Sequence, residues 1–156
     1  MQCALVAGNI SNTNIFDPDN PESKDQVRRM FREMVQWCKE EEVDYINGET
    51  FYYHEEAVIA FEEIQRQGIP AVITLGLMAE NILRDGFTVE ESCRILSEKG
   101  ALVVGMNCFR GPATMQPYLE KIRASVDGYV GGLPIPYRIA CGVHPLLDPS
   151  GVQPPL

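Results

Sequence analysis

The sequence predicts an α/β fold with five strands in a parallel sheet, and three observations carry that expectation. Short apolar runs rich in β-branched residues recur along the chain. Segments with helical spacing lie between them. The runs start near residues 3, 43, 70, 101 and 128, and so recur every 27 to 40 residues. That interval is the length of a β-α unit, and right-handed crossovers of this kind force the strands to lie parallel. Two architectures satisfy the pattern. One is an open doubly wound sheet, complete at five strands. The other is a stretch of an eight-stranded barrel, which needs about 250 residues in full. At 156 residues, length alone favours the open sheet.

The first strand is expected at residues 3–7 (CALVA). A helix follows with Val27, Met30, Phe31, Met34 and Cys38 on one face, opened by Asn20 as N-cap and Pro21 in the first turn. The run 43–46 (VDYI) is the second strand. The helix at about 54–67 buries Ala57, Phe61 and Ile64 and stops at Gly68. The third strand is 71–75 (AVITL). The next helix opens with Thr88 and Glu91, a capping box in which hydroxyl and carboxylate satisfy each other's orphan amides, and stops at Gly100. After the fourth strand, 101–105 (ALVVG), a stripe of Met115, Tyr118, Leu119, Ile122 and Val126 marks the last helix. The fifth strand is 128–133 (GYVGGL). Each strand reads as buried on both faces. From 139 to 156 the chain contains four prolines and no strand or helix period, so the organisation is a domain at 1–138 and an irregular tail at 139–156.

Composition excludes several classes. A net charge of −9 and a pI near 4.7 repel phosphates, which argues against nucleic acid as a partner. No apolar run approaches the roughly 20 residues of a membrane span, and no signal-like leader is present, so the expected location is the cytoplasm. Five cysteines at 3, 38, 93, 108 and 141 do not form the even, regular framework of a disulfide scaffold and read as reduced thiols.

Working residues of a parallel β/α sheet gather where the strands end. Those ends carry Gly8-Asn9, Gly48-Glu49-Thr50, Thr74, Asn107-Cys108 and Pro134. Glu49 directly follows its strand, where a carboxylate either meets a substrate cation or is simply solvated. Cys108 sits at a strand exit before the loop 109–112 (FRGP), and its thiol suits either a nucleophile or a zinc ligand. Cys3, Cys38 and Cys93 read as packing residues. Cys141 and His144 are ligand types three apart, which is weak as a motif. His54 and His144 are the histidines that could serve Cys108 as a base. No G-x-G-x-x-G or Walker loop is present. The pair Tyr52-Tyr53 could stack on a cationic donor or pack at a helix start.

The segments 6–13 (VAGNISNT), 43–51 (VDYINGETF), 55–57 (EEA) and 104–112 (VGMNCFRGP) together resemble the homocysteine S-methyltransferase family, nearest to its betaine-dependent members. The Gly-x-Asn-Cys motif is the specific part. The resemblance implies a partial (β/α)8 barrel in which these five units match strands three to seven, which reverses the preference drawn from length. It implies Cys108 as one of three zinc-binding cysteines, and Glu49 and Asn107 as substrate-binding residues, with Glu49 holding the amino group of homocysteine. The implied reaction is zinc-dependent formation of methionine by methyl transfer from betaine or a similar donor. The implied partners are homocysteine and that donor, and the family's assemblies imply a homo-oligomer. The zinc would favour the thiolate form of homocysteine, which is the competent nucleophile.

The family's adjacent cysteine pair has no counterpart, since this chain contains no Cys-Cys. The expectation is therefore a truncated product with an incomplete metal site. Two other readings stand beside it: a non-catalytic fragment that associates with a full-length relative, and a five-stranded open-sheet enzyme with Cys108 as nucleophile.

Overall fold

The computed structural model describes residues 4–78, 82–136, 138–139 and 152–153. Nine principal elements alternate as strand and helix: β1 Ala7–Ser11, α1 Pro21–Glu40, β2 Tyr45–Phe51, α2 His54–Arg66, β3 Ala71–Leu75, α3 Val89–Glu98, β4 Val103–Asn107, α4 Pro112–Ser125 and β5 Tyr129–Leu133. Two-residue strands β6 Arg138–Ile139 and β7 Val152–Gln153 pair antiparallel, a short ladder where the sequence shows no strand period. Among the described residues, no helix is long and apolar enough to cross a membrane.

Local signals place the helices. The Asn20 side chain accepts from Glu22 N and Pro21 occupies the first turn of α1. Thr88 and Glu91 form the complete capping box of α3. Gly68 and Gly100 take φ of +69° and +109° just beyond α2 and α3, in the left-handed region where only glycine escapes a steric cost. On α1 the core stripe is Val27, Phe31 and Val35, while Met30 is exposed and Met34 and Cys38 are half-buried. Of the expected stripe, Val27 and Phe31 are fully buried and Met34 and Cys38 pack against the core, while Met30 turns outward.

The main sheet runs β1-β2-β3-β4-β5 in spatial order, every pair parallel. A doubly wound sheet reverses its strand order to put helices on both faces. Here the order never reverses, so right-handed crossovers place every helix on one side. Neighbouring helices pack on one another, α1 on α2, α2 on α3 and α3 on α4. This is the topology of a barrel wall, and it decides against the open doubly wound sheet.

Register separates the two faces. Ile10, Ile46, Ile73, Leu75, Val104 and Met106 point at the helices and are buried in one continuous core. Burying a side chain of this kind contributes about 1.5–3 kcal/mol. The opposite face carries Asn9, Tyr45, Asn47, Val103, Tyr129 and Leu133, of which Tyr129 is 70% and Leu133 51% exposed. Burial on both faces, expected from the apolar runs, therefore holds only near the sheet centre, at Thr74, Gly105 and Asn107.

The first strand also lies four residues later than its apolar run. Its ladder with β2 extends from Ala7 opposite Tyr45 to Ser11 opposite Glu49. Leu5 and Val6 stay exposed, and Val6 is tied to the start of β2 only through Asp44. The polar segment won because its neighbour's ladder, rather than its own hydrophobicity, fixes where an edge strand pairs.

Candidate functional site at the strand ends

The C-terminal ends of β1, β2 and β4 bring Asn9, Glu49, Thr50, Asn107 and Cys108 into one hydrogen-bonded group. A β-bulge makes this arrangement. In β2 the register with β3 shifts between Gly48 and Phe51, and Thr50 takes φ of +64°. The extra residue lets Glu49 face the inner side while Phe51 returns to the core, where it is fully buried. A β-branched residue in the left-handed region is strained, and such strain persists only where neighbours over-determine it.

Asn107 supplies that determination. Its Oδ1 accepts from Thr50 N at 2.9 Å and its Nδ2 donates to Thr50 Oγ1 at 2.6 Å. The same Nδ2 lies 3.2 Å from Glu49 Oε2 and 3.4 Å from Cys108 Sγ. Asn9 Nδ2 donates to Glu49 Oε1 at 2.5 Å, and Ser11 Oγ to the Glu49 carbonyl at 2.9 Å. Glu49 is thus fixed by two neutral amides, and no cation pairs with it among the described residues. A half-buried carboxylate held without a counter-charge is suited to receiving an ammonium.

Cys108 and Phe109 follow β4 with φ of +58° and +54°. The tight turn carries Arg110 N to Cys108 O at 2.6 Å, and Cys108 N donates to Leu133 O at 3.0 Å. The thiol is half-buried and faced by Asn107 Nδ2 and, at 3.9 Å, by Thr50 Oγ1. Phe109 packs edge-on against Tyr52 with centroids 5.8 Å apart, and Gly76 closes the wall, since a Cβ there would meet Phe109, Thr50 and Tyr52 at 3.0–3.2 Å.

The other candidates lie elsewhere. Cys93 is buried behind the sheet against Gly105 O, and burial pushes its thiol far up, as a packing role requires. Cys38 sits under Gly8 on the helix side, its thiol also raised by burial. His54 hydrogen-bonds Ser92 Oγ at 2.8 Å and stacks on Phe87, with burial lowering its pKa, so its contacts tie it to α3 rather than to Cys108. Thr74 is fully buried and its hydroxyl has no partner among the described residues. The rings of Tyr52 and Tyr53 lie against the Arg84 guanidinium. Cys3, Cys141 and His144 lie outside the described residues. Asn9 and Thr50 were legible only as polar residues at strand ends; their bonds to Glu49 and Asn107 span 40 and 57 positions, and no sequence signal links them.

The described residues test poorly as a complete metal site. A catalytic metal centre takes about three protein ligands. Among the described residues no three His, Cys, Asp or Glu side chains converge, and Cys108 contributes a single thiol.

A one-sided β/α wall with carboxylate, amide and thiol gathered at its C-terminal rim defines part of a β/α-barrel of the enzyme type. Residues 1–145 match the family model described as homocysteine S-methyltransferase, and the chain belongs to that family. It is 28% identical over 152 residues to S-methylmethionine–homocysteine S-methyltransferase BHMT2 of Pongo abelii, covering 97% of this chain and 38% of that protein. It is 30% identical over 161 residues to betaine–homocysteine S-methyltransferase 1 of Mus musculus, covering 97% and 39%. The chain spans about two-fifths of the length of these two relatives. Among solved structures, the apo form of the homocysteine methyltransferase MmuM from Escherichia coli superposes with a TM-score of 0.59 at 16% identity, over 91% of this chain and 60% of that one. Its metallated form gives 0.57 over 91% and 58%. These likenesses carry the fold, a partial barrel.

Proposed function

We propose that this chain carries the acceptor-binding part of a homocysteine S-methyltransferase, which moves a methyl group from betaine or a similar onium donor to the sulfur of homocysteine and yields methionine. The observation that carries the reading is the single amide of Asn107 placed between Glu49 Oε2 and Cys108 Sγ. It puts a carboxylate and a thiol side by side, as an amino acid with an ammonium at one end and a sulfur at the other requires. In this reading Glu49, oriented by Asn9 and Asn107, takes the ammonium of homocysteine. Holding both ends of the acceptor sets its sulfur in one direction, and orientation of this kind is a large part of a displacement's acceleration.

The metal proposed for the family reading is zinc, with Cys108 as one thiolate ligand. The described residues do not complete its coordination, so its other ligands would come from outside them. Bound zinc would supply acidity to the acceptor thiol.

Calorimetric titration of homocysteine into the chain, with and without zinc, tests the proposal. The expected result is saturable binding that Glu49→Gln weakens roughly tenfold or more, the size of a lost charge-assisted bond. Equal affinity in wild type and Glu49→Gln overturns the assignment. Methionine formation in the presence of betaine or S-methylmethionine then separates the donors.

A further inference from the structure

Two guanidinium groups converge on one residue of the rim. Arg84, between β3 and α3, lies with Cζ 4.8 Å from the Tyr52 ring centroid and 5.8 Å from that of Tyr53, and its Nη2 is 3.3 Å from Met78 Sδ. Arg110, two residues beyond Cys108, lies over Tyr118 at 4.7 Å and donates Nη2 to Met78 O at 2.9 Å. Arg28, Arg32, Arg66 and Arg94 all pair with glutamates. Arg84 and Arg110 pair with no carboxylate among the described residues, although the chain carries a net charge of −9. Among the described residues the buried Arg110 Nε–H has no acceptor.

This arrangement is costly without a ligand. A buried N–H without an acceptor carries a desolvation penalty. An anion with two oxygens relieves it, because a guanidinium presents its N–H groups as a fork matched to a carboxylate. The faces of Tyr52 and Tyr118 lie against the two guanidinium planes, and Arg84 is exposed to solvent. Beside them, Tyr52, Gly76, Met78, Ile82, Leu83 and Arg84 line a shallow surface depression of about 10 Å³, room for a single water. Its wall is shared with the acceptor group, since Tyr52 packs on Phe109, the residue after Cys108.

We infer that Arg84 and Arg110 form a carboxylate-binding site on the rim, adjoining the Glu49–Asn107–Cys108 group, that takes the carboxylate of one of the two substrates. The inference rests on the methyl-transfer reading for the identity of those substrates. Two sources share this chemistry, the α-carboxylate of homocysteine and the carboxylate of a betaine-type donor. The site itself needs only the geometry above.

The test uses the full chain and two ligand pairs. Betaine is compared with choline, which replaces the carboxylate by an alcohol, and homocysteine with 3-aminopropane-1-thiol, which lacks it. Arg84→Gln, Arg110→Gln and the double variant are titrated with each. The double variant is expected to lose roughly tenfold or more in affinity for the carboxylate member of one pair, with the carboxylate-free member unchanged. Loss in the betaine pair makes this a donor site; loss in the homocysteine pair makes it an acceptor site. Unchanged affinity for both carboxylates overturns the inference. Arg84 is exposed, so its single variant keeps the test open should Arg110→Gln fail to fold. Phenylglyoxal modification, mapped by mass spectrometry, gives a second readout. Betaine or homocysteine should shield Arg84 and Arg110 where the carboxylate-free partner does not, and equal labelling with and without ligand also overturns the site. Shielding that persists while Glu49→Gln leaves homocysteine affinity untouched would keep this site and remove the functional reading.

Discussion

Replacing Asn107 by alanine tests whether one amide holds the rim together. Asn107 is 1% exposed and bonds both backbone and side chain of Thr50 while contacting Glu49. Truncation removes the acceptor of the Thr50 N–H, a donor locked in a left-handed bulge. Leaving such a donor unsatisfied costs about 1–3 kcal/mol, and the lost Nδ2 bonds add about 1 kcal/mol more. The expected destabilisation is about 2–4 kcal/mol, a large share of the roughly 5–15 kcal/mol that holds a domain folded. In urea, with a slope of about 1–3 kcal/mol per molar, the unfolding midpoint should fall by roughly 1–2 M. Asn107→Asp makes the cause specific. It keeps the acceptor for Thr50 N but sets a second carboxylate against Glu49 Oε2, 3.2 Å from the present amide nitrogen. Like charges that close raise the folded pKa values, so the aspartate variant should be most stable in acid and lose stability as pH rises through them. An alanine variant within about 0.5 kcal/mol of wild type would refute the role assigned to this amide.

Three further outcomes follow from named contacts. With a thiol alkylating agent on the folded chain, Cys108 should label well before Cys93, whose thiol is buried and shifted far up; peptide mapping checks this, and comparable rates would contradict the packing. Glu56 and Glu63 should bend the pH–stability profile in opposite directions. Burial holds the Glu56 carboxyl above its ordinary value against the Thr13 bonds, so its contribution is present in acid and lost as pH rises, and Glu56→Gln should hold or raise stability at neutral pH. At Glu63 burial is outweighed by bonds from Arg32 and Arg28, which hold it below the ordinary value. Its contribution is present at neutral pH and lost as pH falls, and Glu63→Gln should destabilise there; denaturation of both variants from acid to neutral pH decides. Thr88→Ala removes the capping box of α3 and should cost about 1 kcal/mol, seen as a fall of about 3 °C in Tm, and an unchanged melt would show the cap to be idle.

Much of the wall was legible from local chemistry. The box Thr88–Glu91, the Asn20 cap, and Gly68 and Gly100 beyond α2 and α3 all act within a few residues, so the bounds they set were close. The stripe of α1 held except at Met30, which sits at the edge of the buried side, because where that edge falls on a long helix depends on the neighbour it meets. The first strand was misplaced by four residues for a similar reason. Its apolar run at Leu5 and Val6 has no partner strand, while Ala7 to Ser11 does.

At the rim, the sequence singled out Glu49, Asn107 and Cys108 as residues at strand ends, and the resemblance to the homocysteine S-methyltransferase family lent them roles. That the three share one amide was not readable. It depends on a bulge at Thr50, which turns Glu49 inward while returning Phe51 to the core, and a bulge leaves no composition signal of its own.

Taken alone, the sequence determined the β-α alternation, the caps and the family, because each rests on residue type and short spacing. Length and spacing left open sheet and barrel wall undecided and the family resemblance pointed to the barrel; the tertiary structure bears that out through strand order, a property of pairing between distant segments. Only the tertiary structure decided that Glu49 stands between Asn9 and Asn107, and that Arg84 and Arg110 meet at Met78. Those contacts are set by how parallel strands align their ends, and alignment of that kind exists only once the sheet has formed.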